Sequence, residues 1–277
     1  MSERSYHFIP AHRPEFFSKI DKIPADAFVF DLEDAVPRKK KADAIEFLNR
    51  WLSDHPVSKP MFVRVNGRDG AWFQKEVSLL ATYPMLGLVL PKVGDAGQTE
   101  LAVQQYLGSK CRQVIVLVES PLALLHLREL AFLPEVAGIG LGFEDLLSGQ
   151  LFARRDLTDF VTRIRTDVAI HCAAAGIPAI DSISLDISGG SDLLKEAKAS
   201  RAAGMTAMFS IHPNQVPAIH CAFSPSVEEI EDARHILHLA RAKGESDGYL
   251  RVDGHLLSPP KIRKAQVILQ SVSPHEH

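Results

Sequence analysis

Short runs of aliphatic and aromatic residues, each closed by a polar or turn-forming residue, recur along the first three-quarters of the chain. They alternate with longer stretches whose apolar positions fall at helical spacing. Eight such runs predict strands: Tyr6–Ile9, Ala27–Phe30, Met61–Val65, Gly87–Leu90, Val114–Val118, Gly138–Leu141, Ala179–Ser182 and Ala207–Ile211. Between them the periodicity predicts helices over 43–52, 98–107, 122–132, 157–175 and 193–203. Eight β/α units in one chain predict closure into a (β/α)8 TIM barrel, an α/β fold of about 250 residues. A doubly wound open sheet is the rival, but it usually carries a Gly-rich phosphate loop after its first strand. The sequence there is Pro10-Ala11-His12-Arg13-Pro14. Past the eighth strand, Ile230, Ala233, Ile236, Leu237 and Ala240 predict a helix over 227–243, the stretch 244–258 reads as a polar connection, and a last helix covers 260–269. The expected organisation is a barrel catalytic domain over 1–244 and a C-terminal helical appendage over 245–277, suited to docking on a neighbouring subunit.

Composition narrows the function classes. With 277 residues, 46% of them hydrophobic and 23% charged, the chain has the make-up of a folded globular protein. Its formal net charge of −3 gives no basic face for a phosphate backbone, so nucleic acid is not an expected partner. The run Arg38-Lys39-Lys40-Lys41 reads first as a solvated face, with contact to a phosphorylated cofactor as its other reading. Cys111, Cys172 and Cys221 stand far apart, which indicates neither a disulfide framework nor a zinc cluster. No signal-like leader and no stretch of ~20 apolar residues is present, so a soluble, cytoplasmic protein without membrane contact is expected.

In such a barrel the chemistry lies at the carboxyl ends of the strands. There the sequence places Arg13, Asp31-Leu32-Glu33-Asp34, Arg64, Pro91-Lys92, Glu119, Glu144-Asp145, Asp181 with Asp186 beyond it, and His212. So many carboxylates in a partly desolvated mouth repel one another unless a cation sits among them. Oxygen ligands such as Glu119 and Asp145, with no His or Cys beside them, point to a hard ion, Mg2+ or Mn2+. The competing reading makes each acid a helix cap, Asp145 first. Arg64 suits a bidentate grip on a substrate carboxylate, against a salt bridge to Glu33 or Asp34. His212 reads as a turn element ahead of a general base. No GxSxG, Cys/His pair or HExxH occurs, which removes a hydrolase nucleophile and a zinc-peptidase ligand set.

Taken in order, RSYHFIPAHRPEFF (4–17), ADAFVFDLEDAV (25–36), FVRVNGRD (62–69), GLVLPKV (87–93), VIVLVES (114–120), GIGLGFEDL (138–146), AIDSISLDI (179–187), IHPNQV (211–216) and AFSPSVEEIEDARHIL (222–237) resemble the citrate lyase β-subunit family of the HpcH/HpaI aldolase group. This resemblance implies a Mg2+-dependent carbon–carbon lyase of the malyl-CoA or citramalyl-CoA lyase kind. It implies Mg2+ on Glu119 and Asp145, Glu33 and Asp34 in the outer shell, Arg64 on the carboxylate of a keto acid, and a CoA thioester as the other partner. It also implies a homo-oligomer, a trimer in the first instance. Two positions depart from the family. Pro10-Ala11-His12-Arg13 stands where Pro-Gly-Asn-Arg is usual, which keeps the Arg13 cation for a substrate or phosphate contact. Ser258 stands where the family carries a tail aspartate that takes part in proton transfer; Asp253 and His255 are the nearby substitutes. The alternatives are a metal-dependent aldolase on a free hydroxy-keto acid without CoA, and a non-catalytic subunit that binds metal and keto acid.

Overall fold

The computed structural model describes residues 3–55, 59–68, 70–107, 113–149, 157–242, 250–252 and 255–272. Eight parallel strands close in chain order into a barrel: β1 Ser5–Pro10, β2 Ala27–Asp31, β3 Met61–Arg64, β4 Gly87–Leu90, β5 Val114–Val118, β6 Val136–Leu141, β7 Ala179–Asp181 and β8 Ala207–Ser210. These are the eight predicted runs, shifted by a residue or two at their ends. β8 stops before Ile211 because the Ile211 and His212 amides both donate to the Gln215 side-chain oxygen.

Alternation along the strands fixes the interior. Tyr6 and Phe8, Ala27 and Val29, Phe62, Val89, Ile115 and Leu117, Ile180, and Ala207 and Phe209 form one buried cluster inside the barrel. Bulky rings there are accommodated by small neighbours. A Cβ on Gly87 would stand 2.1 Å from Phe62, and one on Gly140 would stand 2.6 Å from Phe209. The barrel is therefore filled, which leaves its carboxyl-end mouth as the place for chemistry.

Helices cover the outside. Lys41–Asp54 buries Ala44, Leu48, Trp51 and Leu52 at helical spacing. Thr158–Ala175 buries Val161, Ile164, Arg165, Val168, Ala169 and Cys172, and ends on Gly176 at φ +72°. The helix expected over 122–132 is two short ones, Pro121–Leu125 and Leu127–Ala131, joined at His126 with φ −109° and ψ 18°. Helices Phe73–Thr82 and Gln215–Phe223 add to those predicted. The expected polar connection 244–258 contains an antiparallel pair, Leu250–Val252 with His255–Leu257.

By contacts the chain falls into two compact units, Ser2–Cys221, which holds the barrel, and Ala222–His277. Within the second, helix Val227–Ala242 packs on helix Pro259–Gln270. Ser258 caps the latter, its hydroxyl accepting from the Lys261 amide, with Pro259 at the first helical position.

Candidate functional site

The inward register of the strands, carried to their carboxyl ends, selects the polar residues of the mouth. Two residues beyond the interior positions Val29, Phe62 and Leu117 stand Asp31, Arg64 and Glu119. Asp31 and Arg64 are also opposite one another in the β2–β3 pairing. Arg64 uses that neighbourhood for a two-pronged ion pair, Nε to Asp31 Oδ1 at 2.9 Å and Nη2 to Oδ2 at 2.6 Å. Its guanidinium lies 5.0 Å from the Phe8 ring centroid, and its Nη1 is 3.4 Å from Glu33 Oε2. Burial works against the charge of Arg64, but Asp31 and then Glu33 outweigh it and hold its pKa above the ordinary value. The same Asp31 carboxylate accepts the Glu33 and Ala35 amides, so it also shapes the turn that presents Glu33.

Glu33 is buried, 3% exposed, and neither of its oxygens has an aligned hydrogen bond. Its charge partners are Lys92 Nζ, 2.6 Å from Oε1, and Arg64. Burial raises its pKa against the pull of both cations. Asp34 is exposed, with Lys92 Nζ at 3.4 Å. Glu119 is 7% exposed and accepts the Lys92 amide on Oε1 at 2.5 Å. Its pKa is pushed up to about 7, first by burial and further by the charges of Glu33 and Asp145. A Cβ on Gly142 would stand 2.8 Å from Glu119 Cβ and 2.9 Å from Oε2, so glycine at this position makes room for the carboxylate. Asp145 is exposed on the short helix Phe143–Leu146, which is anchored by the Phe143 amide donating to the buried Ser182 hydroxyl. Asp145 does not cap that helix; the capping position is Gly142.

These residues fit a hard cation. Burial drives both Glu33 and Glu119 towards the neutral form, and like charge adds to this at Glu119. A divalent ion among them would reverse both penalties. Among the described residues no group of three or more His, Cys, Asp or Glu side chains is gathered to hold a metal alone. Mg2+ takes one or two carboxylates and fills its octahedron with water and substrate oxygens.

Beneath the mouth lies a support that the sequence reading did not foresee. Lys41 does not lie on a solvated face: its Nζ donates to the Leu32 and Glu33 carbonyls at 2.9 Å and to Asn66 Oδ1 at 2.5 Å. Asn66 in turn donates its amide to fully buried Glu76 at 2.7 Å, and its side chain also donates to Glu76. Only the alternation of the Arg38–Lys41 run with the following helix could have hinted that its last member turns inward. A cavity of about 510 Å3 opens beside Glu33, Asp34, Asn66, Arg68 and Lys92.

Other candidates lie elsewhere or serve other ends. Arg13 is exposed and pairs locally, with Glu15 at 2.5 Å and over the Phe16 ring. Asp181 is buried against Arg165 at 2.7 Å, and Asp186 accepts from Ser188 within its own loop. His212 Nδ1 accepts the Asn214 amide, which makes it part of a turn. Asp253 lies outside the described residues.

The HpcH/HpaI aldolase/citrate lyase family matches residues 4–213. A citrate lyase subunit beta-like protein of Mycobacterium tuberculosis is 31% identical over 270 residues, covering 95% of this chain and 93% of that protein. A (3S)-malyl-CoA thioesterase of Cereibacter sphaeroides is 28% identical, covering 96% and 93%. Among solved structures, protein CitE from M. tuberculosis in complex with magnesium, acetoacetate and coenzyme A superposes with a TM-score of 0.81 at 29% identity, covering 98% of each chain.

Proposed function

The chain belongs to the HpcH/HpaI aldolase/citrate lyase family and is a lyase, and on that premise we propose that it makes or breaks a carbon–carbon bond in a 3-hydroxyacyl thioester of the malyl, citramalyl or citryl type, with Mg2+ held by Glu119 and Asp145. The observation that carries this reading is Glu119. It is a buried carboxylate with one oxygen fixed by an amide and a pKa near 7, raised in part by Asp145 on the next strand's exit. Mn2+ is the other ion this oxygen donor set would accept. The solved relative with magnesium, acetoacetate and coenzyme A supports both the ion and the thioester partner.

Bound there, magnesium supplies Lewis-acid stabilisation of the oxyanion that develops as the bond breaks. The protein's own groups do the rest. Arg64, its plane fixed by the Asp31 fork, binds the carboxylate of the keto-acid half. Glu33, buried and ion-paired with Lys92 and Arg64, accepts the hydroxyl proton as the carbon–carbon electron pair leaves with the thioester enolate. That cleavage frees the keto acid, and return of the proton from Glu33 to the enolate carbon gives the shortened acyl thioester, so atoms and charge balance. Lys92, itself paired with Asp34, keeps Glu33 in place.

Ser258 favours a second reading, a metal-dependent aldolase on free hydroxy-keto acids, because a helix-capping hydroxyl replaces the acid that the family resemblance expects. Assaying both substrate classes with Mg2+ decides between them. Release of glyoxylate, pyruvate or oxaloacetate from thioesters alone supports the lyase proposed; turnover confined to free acids replaces it with the aldolase. Tight Mg2+ and keto-acid binding without turnover of either class would make the chain a binding subunit.

A further inference from the structure

Lys92 is the one non-glycine residue with a positive φ among the described residues, at +56°. A residue with a Cβ stays in this left-handed region only where its surroundings hold it, and such positions gather at functional sites. Lysine lacks the short side-chain acceptor by which Asn or Asp settle there. Its contacts run two ways. The amide donates to Glu119 Oε1 at 2.5 Å, and the ammonium sits 2.6 Å from Glu33 Oε1 and 3.4 Å from Asp34 Oδ1. Rotation about the N–Cα bond sets the direction of the side chain relative to the amide, so a single φ has to satisfy both contacts. The stem passes along Gly67, where a Cβ would stand 3.7 Å from the lysine's Cδ.

We propose that Lys92 is a positioning residue of the metal site: its ion pairs with Glu33 and Asp34 hold the left-handed backbone that aims its amide at Glu119 Oε1, leaving Oε2 for the cation. The inference rests on Glu119 as a metal ligand. It gives β4, which contributes no ligand, a part in setting the ligand on β5. A group that orients a metal ligand in this way typically accounts for about 10- to 100-fold in metal affinity.

Calorimetric titration of the full chain with Mg2+, comparing the parent with Lys92→Met, Lys92→Gly and Glu119→Gln, tests it. Lys92→Met keeps the stem and the unfavourable φ but loses the ion pairs, so Mg2+ affinity should fall about 10- to 100-fold. Lys92→Gly also loses them, but glycine adopts positive φ freely, so the amide stays in place and most of that affinity returns. A purely electrostatic role predicts the opposite sign, because removing a cation beside an anionic site strengthens cation binding. Lys92→Met binding Mg2+ as tightly as the parent or more tightly overturns the proposal, as does Lys92→Gly losing as much as Lys92→Met. Should Lys92→Met fail to melt cooperatively, Lys92→Gly alone decides: near-parent affinity upholds the proposal and a loss beyond about tenfold refutes it. Mg2+ binding undiminished in Glu119→Gln removes the metal assignment itself, whatever the Lys92 variants do.

Discussion

Glu119 makes the charge state of the site depend on pH. Its pKa rises from 4.5 to about 7 on folding, so folding favours its proton. The stability linked to that proton is complete below about pH 4.5 and is lost as pH rises through about 7. The metal-free Glu119→Gln variant should therefore gain in Tm relative to the parent between pH 5 and pH 8; Glu76, also near 7, is common to both and cancels. Mg2+ has to displace the same proton, so its affinity should fall about tenfold per pH unit below 7, with proton release visible as a buffer-dependent binding enthalpy. A flat affinity from pH 5 to 8 would refute the link. At Arg64, lysine keeps the charge but not the fork to Asp31, so Arg64→Lys should lower kcat/KM about 10- to 100-fold, the worth of a charged hydrogen bond. Unchanged kinetics would take Arg64 out of substrate binding.

At the scale of strands and helices, two glycines two residues apart on β6 and its exit separate packing from chemistry. A Cβ at Gly140 would strike Phe209 and Leu117 within the filled barrel. Gly140→Ala should lower stability by about 1–3 kcal/mol in denaturant melts while the folded fraction still binds Mg2+. A Cβ at Gly142 would instead meet Glu119, so Gly142→Ala should weaken Mg2+ binding beyond any loss of stability. Equal effects of the two variants on Mg2+ affinity would deny Gly142 that part. The elements were legible in the sequence because each buried strand is a short apolar run, and the strand-end position of Glu33, Arg64, Glu119 and Asp145 followed from the same runs. What stayed hidden depends on register and on charge partners distant in sequence. The fork of Arg64 onto Asp31 needs the β2–β3 pairing, the inward turn of Lys41 needs the Leu32 and Glu33 carbonyls, and the left-handed φ of Lys92 has no signal in an ordinary Pro-Lys pair. The antiparallel pair after 249 was unreadable because its strands are three residues each.

For the whole molecule, the barrel supplies the carboxylates of the proposed cation site, while the unit Ala222–His277 bears Ser258. We propose that the tail 245–277 docks on a neighbouring copy in a homo-oligomer, a trimer first, and solution mass at working concentration tests this: a monomer contradicts it. No helix among the described residues is long and apolar enough to cross a membrane. Because Ser and Asp are equally good N-caps, Ser258→Asp should leave the Pro259–Gln270 helix and its stability intact. If the chain differs from its relatives by loss of that acid, the variant should cleave thioesters about 10^2- to 10^4-fold faster, the usual worth of a general acid or base. No gain in rate would favour the free-acid reading.

If Glu119 and Asp145 hold Mg2+ for carbon–carbon cleavage, the products of the reaction reveal it. The products formed from a malyl, citramalyl or citryl thioester are to be analysed with Mg2+ and with a chelator. Keto acid and shortened acyl thioester should form in equal amounts, and the chelator, Glu119→Gln or Asp145→Asn should abolish both. Free thiol with the hydroxy acid intact, or cleavage indifferent to the chelator and to both substitutions, would rule out Mg2+-dependent carbon–carbon cleavage at Glu119 and Asp145.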